Sequence, residues 1–285
     1  MQTFFILRLT LYDLIDENKI MTFKKIIKKK KNIRTLSIYL TLFFVNFSIL
    51  FAGPKIIKNR LTKENLNLIY ETKVGGIESR IRAIKTCGSQ RMYFCLRALT
   101  ENLEDENSEI RRVSAQNIGT LRIYDAFNAL ESALKKENET KVKKTIIMAI
   151  GYLNKPNTSN AIEPYLRDKE DEIRETTAKS LALLNDEKSL GALRQAYKAE
   201  NNELVKVNIL STILIIDSTD YKERAELLKY LNNSNRWIRY NAAQTLQTVR
   251  FVEAVNTLEK ALNLEDEIIV RKELYRAYIN VINAF

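Results

Sequence analysis

EIRRVSAQNIG at 109–119, KVKKTIIMAIG at 141–151, EIRETTAKSLA at 172–182, LVKVNILSTIL at 204–214, WIRYNAAQTLQ at 237–247 and IVRKELYRAYI at 269–279 are six versions of one phrase. In each, a branched apolar lead (Ile110, Val142, Ile173, Val205, Ile238, Val270) precedes a base, and apolar residues then recur at helical spacing. Successive leads lie 32, 31, 32, 33 and 32 residues apart. A period held to one residue over six copies means a stacked array of like units. A weaker copy, SRIRAIKTCG, begins at Ser79, 31 residues before Ile110.

Between the copies runs a second helical pattern. It reads DAFNALESALKKE from Asp125, SNAIEPYLRDKE from Ser159, EKSLGALRQAYK from Glu187, DYKERAELLKYL from Asp220 and FVEAVNTLEKAL from Phe251. Leu190, Leu193 and Tyr197, like Leu258, Ala261 and Leu262, place one apolar stripe toward a core. Each unit is therefore expected to be two antiparallel helices. Composition agrees, since seven glycines and three prolines are too few for a chain of hairpins.

A further column completes the phrase. Six residues before each base stands an acid or amide: Asp105 before Arg111, Glu137 before Lys143, Asp168 before Arg174, Glu200 before Lys206, Asn233 before Arg239 and Glu265 before Arg271. An acidic turn, then valine or isoleucine, then a base resembles the HEAT repeat in its short bacterial form, over roughly residues 60–285. The first unit departs, with Val74 at the acid position. The resemblance implies an all-α, right-handed α-α superhelix of about seven two-helix repeats over 61–285. It also implies an acid–base ladder linking neighbouring units, with the second helix of each unit lining a concave surface. The acid sits near a helix start, where a carboxylate is favoured, and the base is expected to reach back toward it.

The net charge of +11 divides unevenly. Residues 1–52 hold nine basic and three acidic groups, which leaves 37 basic against 32 acidic residues from Gly53 onward. The lysine-rich stretch from Lys24 to Arg34 precedes an uncharged apolar run from Leu36 to Ala52, and Gly53 follows. This is the order of a secretory signal, with cleavage expected near Ala52; an uncleaved inner-membrane anchor is the alternative. Met21 is an alternative start, because Asp13, Asp16 and Glu17 are out of place in a signal. Residues 53–60 then form a linker, and the solenoid is expected in a periplasm or cell envelope, contacting membrane only through an uncleaved amino terminus.

Histidine is absent, which excludes histidine-dependent nucleophilic catalysis and histidine metal sites. No glycine-rich phosphate loop and no metal-spaced cysteine set occurs. The expectation is a scaffold that binds protein through its concave or carboxy-terminal surface, without catalytic residues, metal or cofactor. Two alternatives come with the resemblance, since some HEAT-like proteins hold DNA and some attach bilin chromophores. Near-balanced charge and six bases already matched to ladder partners oppose nucleic acid.

Candidate binding residues are those that break the repeat. Just before the lead stand Glu109, Lys141 and Glu172, then Leu204, Trp237 and Ile269; two places after it stand Arg112, Lys144 and Glu175, then Val207, Tyr240 and Lys272. An apolar ridge of Leu204, Val207, Trp237, Tyr240 and Ile269, edged by Arg236 and Arg239, is the candidate partner site, with added packing between repeats as the bland alternative. The last helix presents Leu274, Tyr275, Tyr278, Ile279, Ile282 and Phe285, with no polar capping helix after it, so a homodimer through this end is a second expectation. Cys87 and Cys95 flank a turn; spacing leaves a disulfide open, and two small buried thiols are the expected state.

Overall fold

The computed structural model describes residues 61–284. The expected signal or anchor, its cleavage near Ala52, the 53–60 linker and the side chain of Phe285 lie outside the described residues. From Lys63 onward the chain forms one compact unit built wholly of helices among the described residues. It is a right-handed α-α superhelix.

Among the described residues seven two-part units follow in order, six of them α-helix pairs. The first is α1 (Lys63–Glu71) with α2 (Ile77–Ser89), and the second is α3 (Leu96–Glu101) with α4 (Ser108–Leu121). Next come α5 (Phe127–Lys136) with α6 (Thr140–Leu153), and a fourth unit whose second helix is α7 (Asp171–Leu184). The last three pairs are α8 (Leu190–Ala199) with α9 (Glu203–Ile216), α10 (Tyr221–Tyr230) with α11 (Arg236–Thr248), and α12 (Val255–Leu264) with α13 (Ile268–Ile282). The second helices α2, α4, α6, α7, α9, α11 and α13 each pack on the next, and form a continuous layer.

Local chemistry sets the ends of these helices. The Asn107, Asn202 and Asn235 side chains accept from backbone N–H groups of the first turns of α4, α9 and α11, which otherwise lack partners. Arg122, Asn154 and Asn185 take the left-handed conformation that stops α4, α6 and α7. The fourth unit departs from expectation. SNAIEPYLRDKE forms two 3-10 turns, Ser159–Ala161 and Glu163–Arg167, in place of an α-helix. Pro164 has no N–H to donate in its centre, and Tyr165 instead anchors the segment by donating to the Leu134 carbonyl.

All six leads are buried. Each such branched side chain contributes about 2 kcal/mol of burial. Glycines allow the closest approach between second helices. A Cβ on Gly119 would meet Ala149 Cα at 2.8 Å, and one on Gly151 would meet Ser180 Cβ at 2.9 Å. Gly88 stands at the same place in the first unit, against Asn117.

The core is not continuous. α9 is buried almost all round, and it divides two clusters of buried residues. Val205, Ile209 and Ile213 belong with the amino-terminal units, whereas Val207, Leu210 and Leu214 belong with the carboxy-terminal ones. The contact between α9 and α11 is partly polar, because Thr245 Oγ1 donates to Ser211 Oγ at 2.6 Å within it.

Candidate partner-binding surface

The ladder runs between units. Arg111 Nε and Nη2 donate to the two Glu137 carboxylate oxygens at 2.8 and 3.0 Å, while Nη1 donates to the Asp105 carbonyl at 2.8 Å. Arg174 repeats the pattern with Glu200 and the Asp168 carbonyl, and Arg239 with Glu265 and the Asn233 carbonyl. Lys143 reaches Asp168 at 3.4 Å, and Arg80 pairs with Asp105. Arg111, Arg174 and Arg239 thus reach back to the main chain of the acidic turn, five and six residues earlier, and not to the carboxylate or amide side chain six residues earlier. The carboxylate partner of each comes from the following unit.

Glu137, Glu200 and Glu265 are held in the charged form. Burial works against the charge on Glu137, yet the Arg111 guanidinium and the Glu139 and Asn138 N–H groups carry its pKa below the ordinary value. Glu200 and Glu265 are lowered chiefly by hydrogen bonds from Arg174 and Arg239. Arg174 is raised by the same contact with Glu200 and by Asp171. A cleft of about 620 Å³ beside this rung is walled by Asp168, Arg174, Glu200 and Asn202, whose polar groups are already engaged with one another and with the turn.

Two rungs differ. Asn233 replaces the acid, so Lys206 pairs with no carboxylate among the described residues, and its ammonium lies 5.2 Å from the centre of the Tyr197 ring. Asn233 Nδ2 donates to Glu203 instead. At the far end Arg271 donates to the Glu265 carbonyl and lies 3.9 Å from Asp266.

On the exposed face of the second helices, the early units carry charges paired within and between units. Arg112 pairs with Glu109 at 2.6 Å, Lys144 with Glu172 at 2.6 Å and Lys179 with Glu175 at 2.5 Å. The later units carry the apolar ridge in altered form. Val207 is fully buried in the carboxy-terminal core and is removed from the surface. Leu204 and Tyr240 are half-buried against the same core. Trp237 is 46% exposed and Ile269 43%. The Trp237 and Tyr240 rings meet edge to face at 6.0 Å, and the Arg236 guanidinium lies 5.2 Å over the Trp237 ring while facing Glu267 at 3.5 Å.

Sequence reasoning missed three features. Leu264 and Ile268 are the most exposed large apolar residues described, at 76% and 80%. Their signal was legible, since both stand in columns that are polar or small in other units. Met148, Tyr152 and Leu183 add exposed apolar surface on α6 and α7. The third is the cysteine pair, where the expectation of free thiols is corrected: Cys87 and Cys95 form a disulfide joining α2 to the 3-10 turn before α3. At the carboxy terminus, Leu274 is buried in the core, whereas Tyr275 and Ile282 are exposed. No group of three acid or thiol side chains that could hold a metal occurs among the described residues, and no described helix is long and apolar enough to cross a membrane.

The ladder, the paired helices and the sequence agree with the family model for HEAT repeats, which matches residues 127–213. These residues are HEAT repeats. The same HEAT geometry continues on both sides, with Arg80–Asp105 before the matched stretch and Arg239–Glu265 after it. By shape the chain is similar to the complex of CpcE and CpcF of phycocyanin lyase from Nostoc sp. PCC7120. The TM-score is 0.54 and the identity 14%, covering 75% of this chain and 93% of that one. It is also similar to human deoxyhypusine hydroxylase in complex with glycerol, at TM-score 0.41 and 17% identity, covering 76% and 85%. At such identities the likeness extends to the fold alone. No curated protein matches the chain by sequence.

Proposed function

We propose that this chain is an exported HEAT-repeat scaffold that binds another protein through the exposed face of α11 and α13, on its concave or carboxy-terminal surface. One observation carries the reading. Trp237 and Ile269 stand half-exposed in a column that is charged in the earlier units, where Glu109 pairs with Arg112 and Glu172 with Lys144. A half-exposed tryptophan under an arginine, with apolar neighbours, has the make-up of an interface anchor. The basic stretch and apolar run of residues 24–52 support export, and a disulfide suits an oxidising compartment.

Nucleic acid is the weaker alternative, because Arg111, Arg174 and Arg239 already hold carboxylates. A chromophore-attaching enzyme rests on fold kinship alone.

The test is capture from envelope fractions with the full chain and with Trp237→Ala. A partner retained in proportion to the full chain, lost with Trp237→Ala at unchanged thermal stability, supports the reading. Lost stability with undiminished capture assigns Trp237 to packing. Amino-terminal sequencing tests export, which predicts a start just after Ala52; an intact Met1 or Met21 counts against cleavage.

A further inference from the structure

Four columns of the repeat make their contacts to the following unit. Six residues before the lead, Glu104 bonds Lys136 of the next unit. Two before it, Asp171 bonds Asn202, Glu203 bonds Asn233 and Arg236 faces Glu267. One after it stands the ladder base. Five after it, Ala115, Ile147, Ala178, Leu210 and Ala243 are all fully buried.

In the last unit these columns hold Leu264, Ile268, Arg271 and Tyr275, and among the described residues nothing covers them. Tyr275 is 59% exposed where its five counterparts are sealed. Leu264 and Ile268 are apolar where earlier units have Glu104 and Lys136, or Asp171 and Glu203. Among the described residues, Arg271 is the one ladder arginine that draws no carboxylate from a following unit, and its side chain is 52% exposed. A face meant for water would become more polar at these columns. This one becomes more apolar around an exposed cation.

We propose that this end face is the docking site for a second copy of the chain, related by a two-fold axis. The charges select that occupant. Beside Arg271 stands Asp266, fully exposed and too far from it at 3.9 Å for a tight pair. One cation and one anion on the same patch make it complementary to itself, and a two-fold axis sets Arg271 of each copy against Asp266 of the other. Head-to-tail stacking would not complete the rung. The first unit offers Val74 where the ladder carboxylate belongs.

The test uses the full chain in intact cells. Ile268→Cys, treated with a short bis-maleimide, is expected to give a covalent product of twice the chain mass. Lys198→Cys, exposed on α8, should not. The native cysteines are bonded to each other and do not react. Arg271→Glu in the Ile268→Cys background should lower the product at least fivefold, because a carboxylate from one copy would then face the Asp266 carboxylate of the other. Adding Asp266→Arg should restore it, which a purely structural role for Arg271 would not do. No product above the Lys198→Cys control, a product of another mass, or no restoration in the charge-swapped variant overturns the proposal. Trp237→Ala lies off this face and should leave the product intact, so this reading and the ridge reading fail separately.

Discussion

Arg174 closes a two-point hydrogen bond on Glu200, 26 residues later, with Nε to Oε2 at 2.6 Å and Nη2 to Oε1 at 2.9 Å. The pair joins the fourth unit to the fifth. Its carboxylate is almost wholly buried, and the remaining lone pairs accept from the Asn201 and Asn202 N–H groups. Such a pair is costly to break from one side only, since Arg174 would keep a mostly buried charge held only by the exposed Asp171 and by main-chain carbonyls. Glu200→Ala is expected to lower stability by about 3 kcal/mol, read by urea unfolding. Arg174→Lys should be milder but still destabilising, because an ammonium does not span both carboxylate oxygens.

The same acids set the acid limit of the fold. Glu137, Glu200 and Glu265 have folded-state pKa values below the ordinary 4.5. Their contribution is therefore complete above that value and is lost as pH falls through the lowered values. The melting temperature is expected to be flat with respect to these groups from neutrality to about pH 5 and to fall steeply below about pH 4.5. Glu200→Gln together with Glu265→Gln should lower the neutral plateau and flatten the acid slope. An unchanged slope would remove the ladder from the explanation.

Gly119 and Gly191 make a paired test of helix approach. A methyl group on Gly119 has no room against the Ala149 backbone, whereas one on Gly191 meets nothing within 4 Å. Gly119→Ala should cost about 2 kcal/mol or more from overpacking. Gly191→Ala should be neutral or stabilise by about 0.5 kcal/mol through the unfolded chain. Thermal melts of the two variants beside the parent chain check both.

The Cys87–Cys95 bond closes a loop of eight residues' separation at the junction of the first two units. Reduction is expected to lower stability by about 2 kcal/mol on the chain-entropy account, and to do so locally. Hydrogen exchange should quicken in α2 and α3 while α7 to α13 keep their protection. Uniform loss of protection would contradict the unit-by-unit stability of such an array.

The period and the lead residues were legible because they are one-dimensional facts about spacing, and all six leads are buried as the stripe requires. The partners of the ladder were not. Which carboxylate Arg111 takes depends on how units stack, and its own Asp105 supplies a carbonyl while its carboxylate goes to Arg80. Val207 misled for a related reason. Its column is polar and partly exposed elsewhere, but here it is sealed in the carboxy-terminal core, and a change from charge to valine reads equally as ridge or core. Pro164 was a readable warning against an α-helix in the fourth unit. Gly88, Gly119 and Gly151 were a readable column too, spaced 31 and 32 residues apart, and that spacing marks where helices nearly touch. For Cys87 and Cys95, separation alone carries no orientation.

The division of the core at α9 has a mechanical consequence. At that same joint the carboxylate rung is missing, because Asn233 leaves Lys206 resting on the Tyr197 ring. Neighbouring units elsewhere are clamped by a shared apolar layer and a bonded charge pair, and here only the apolar layer remains, interrupted by the Ser211–Thr245 hydrogen bond. Pulled from its ends, the molecule should part first between α9 and α11, shedding the stretch that bears Trp237 while the rest holds.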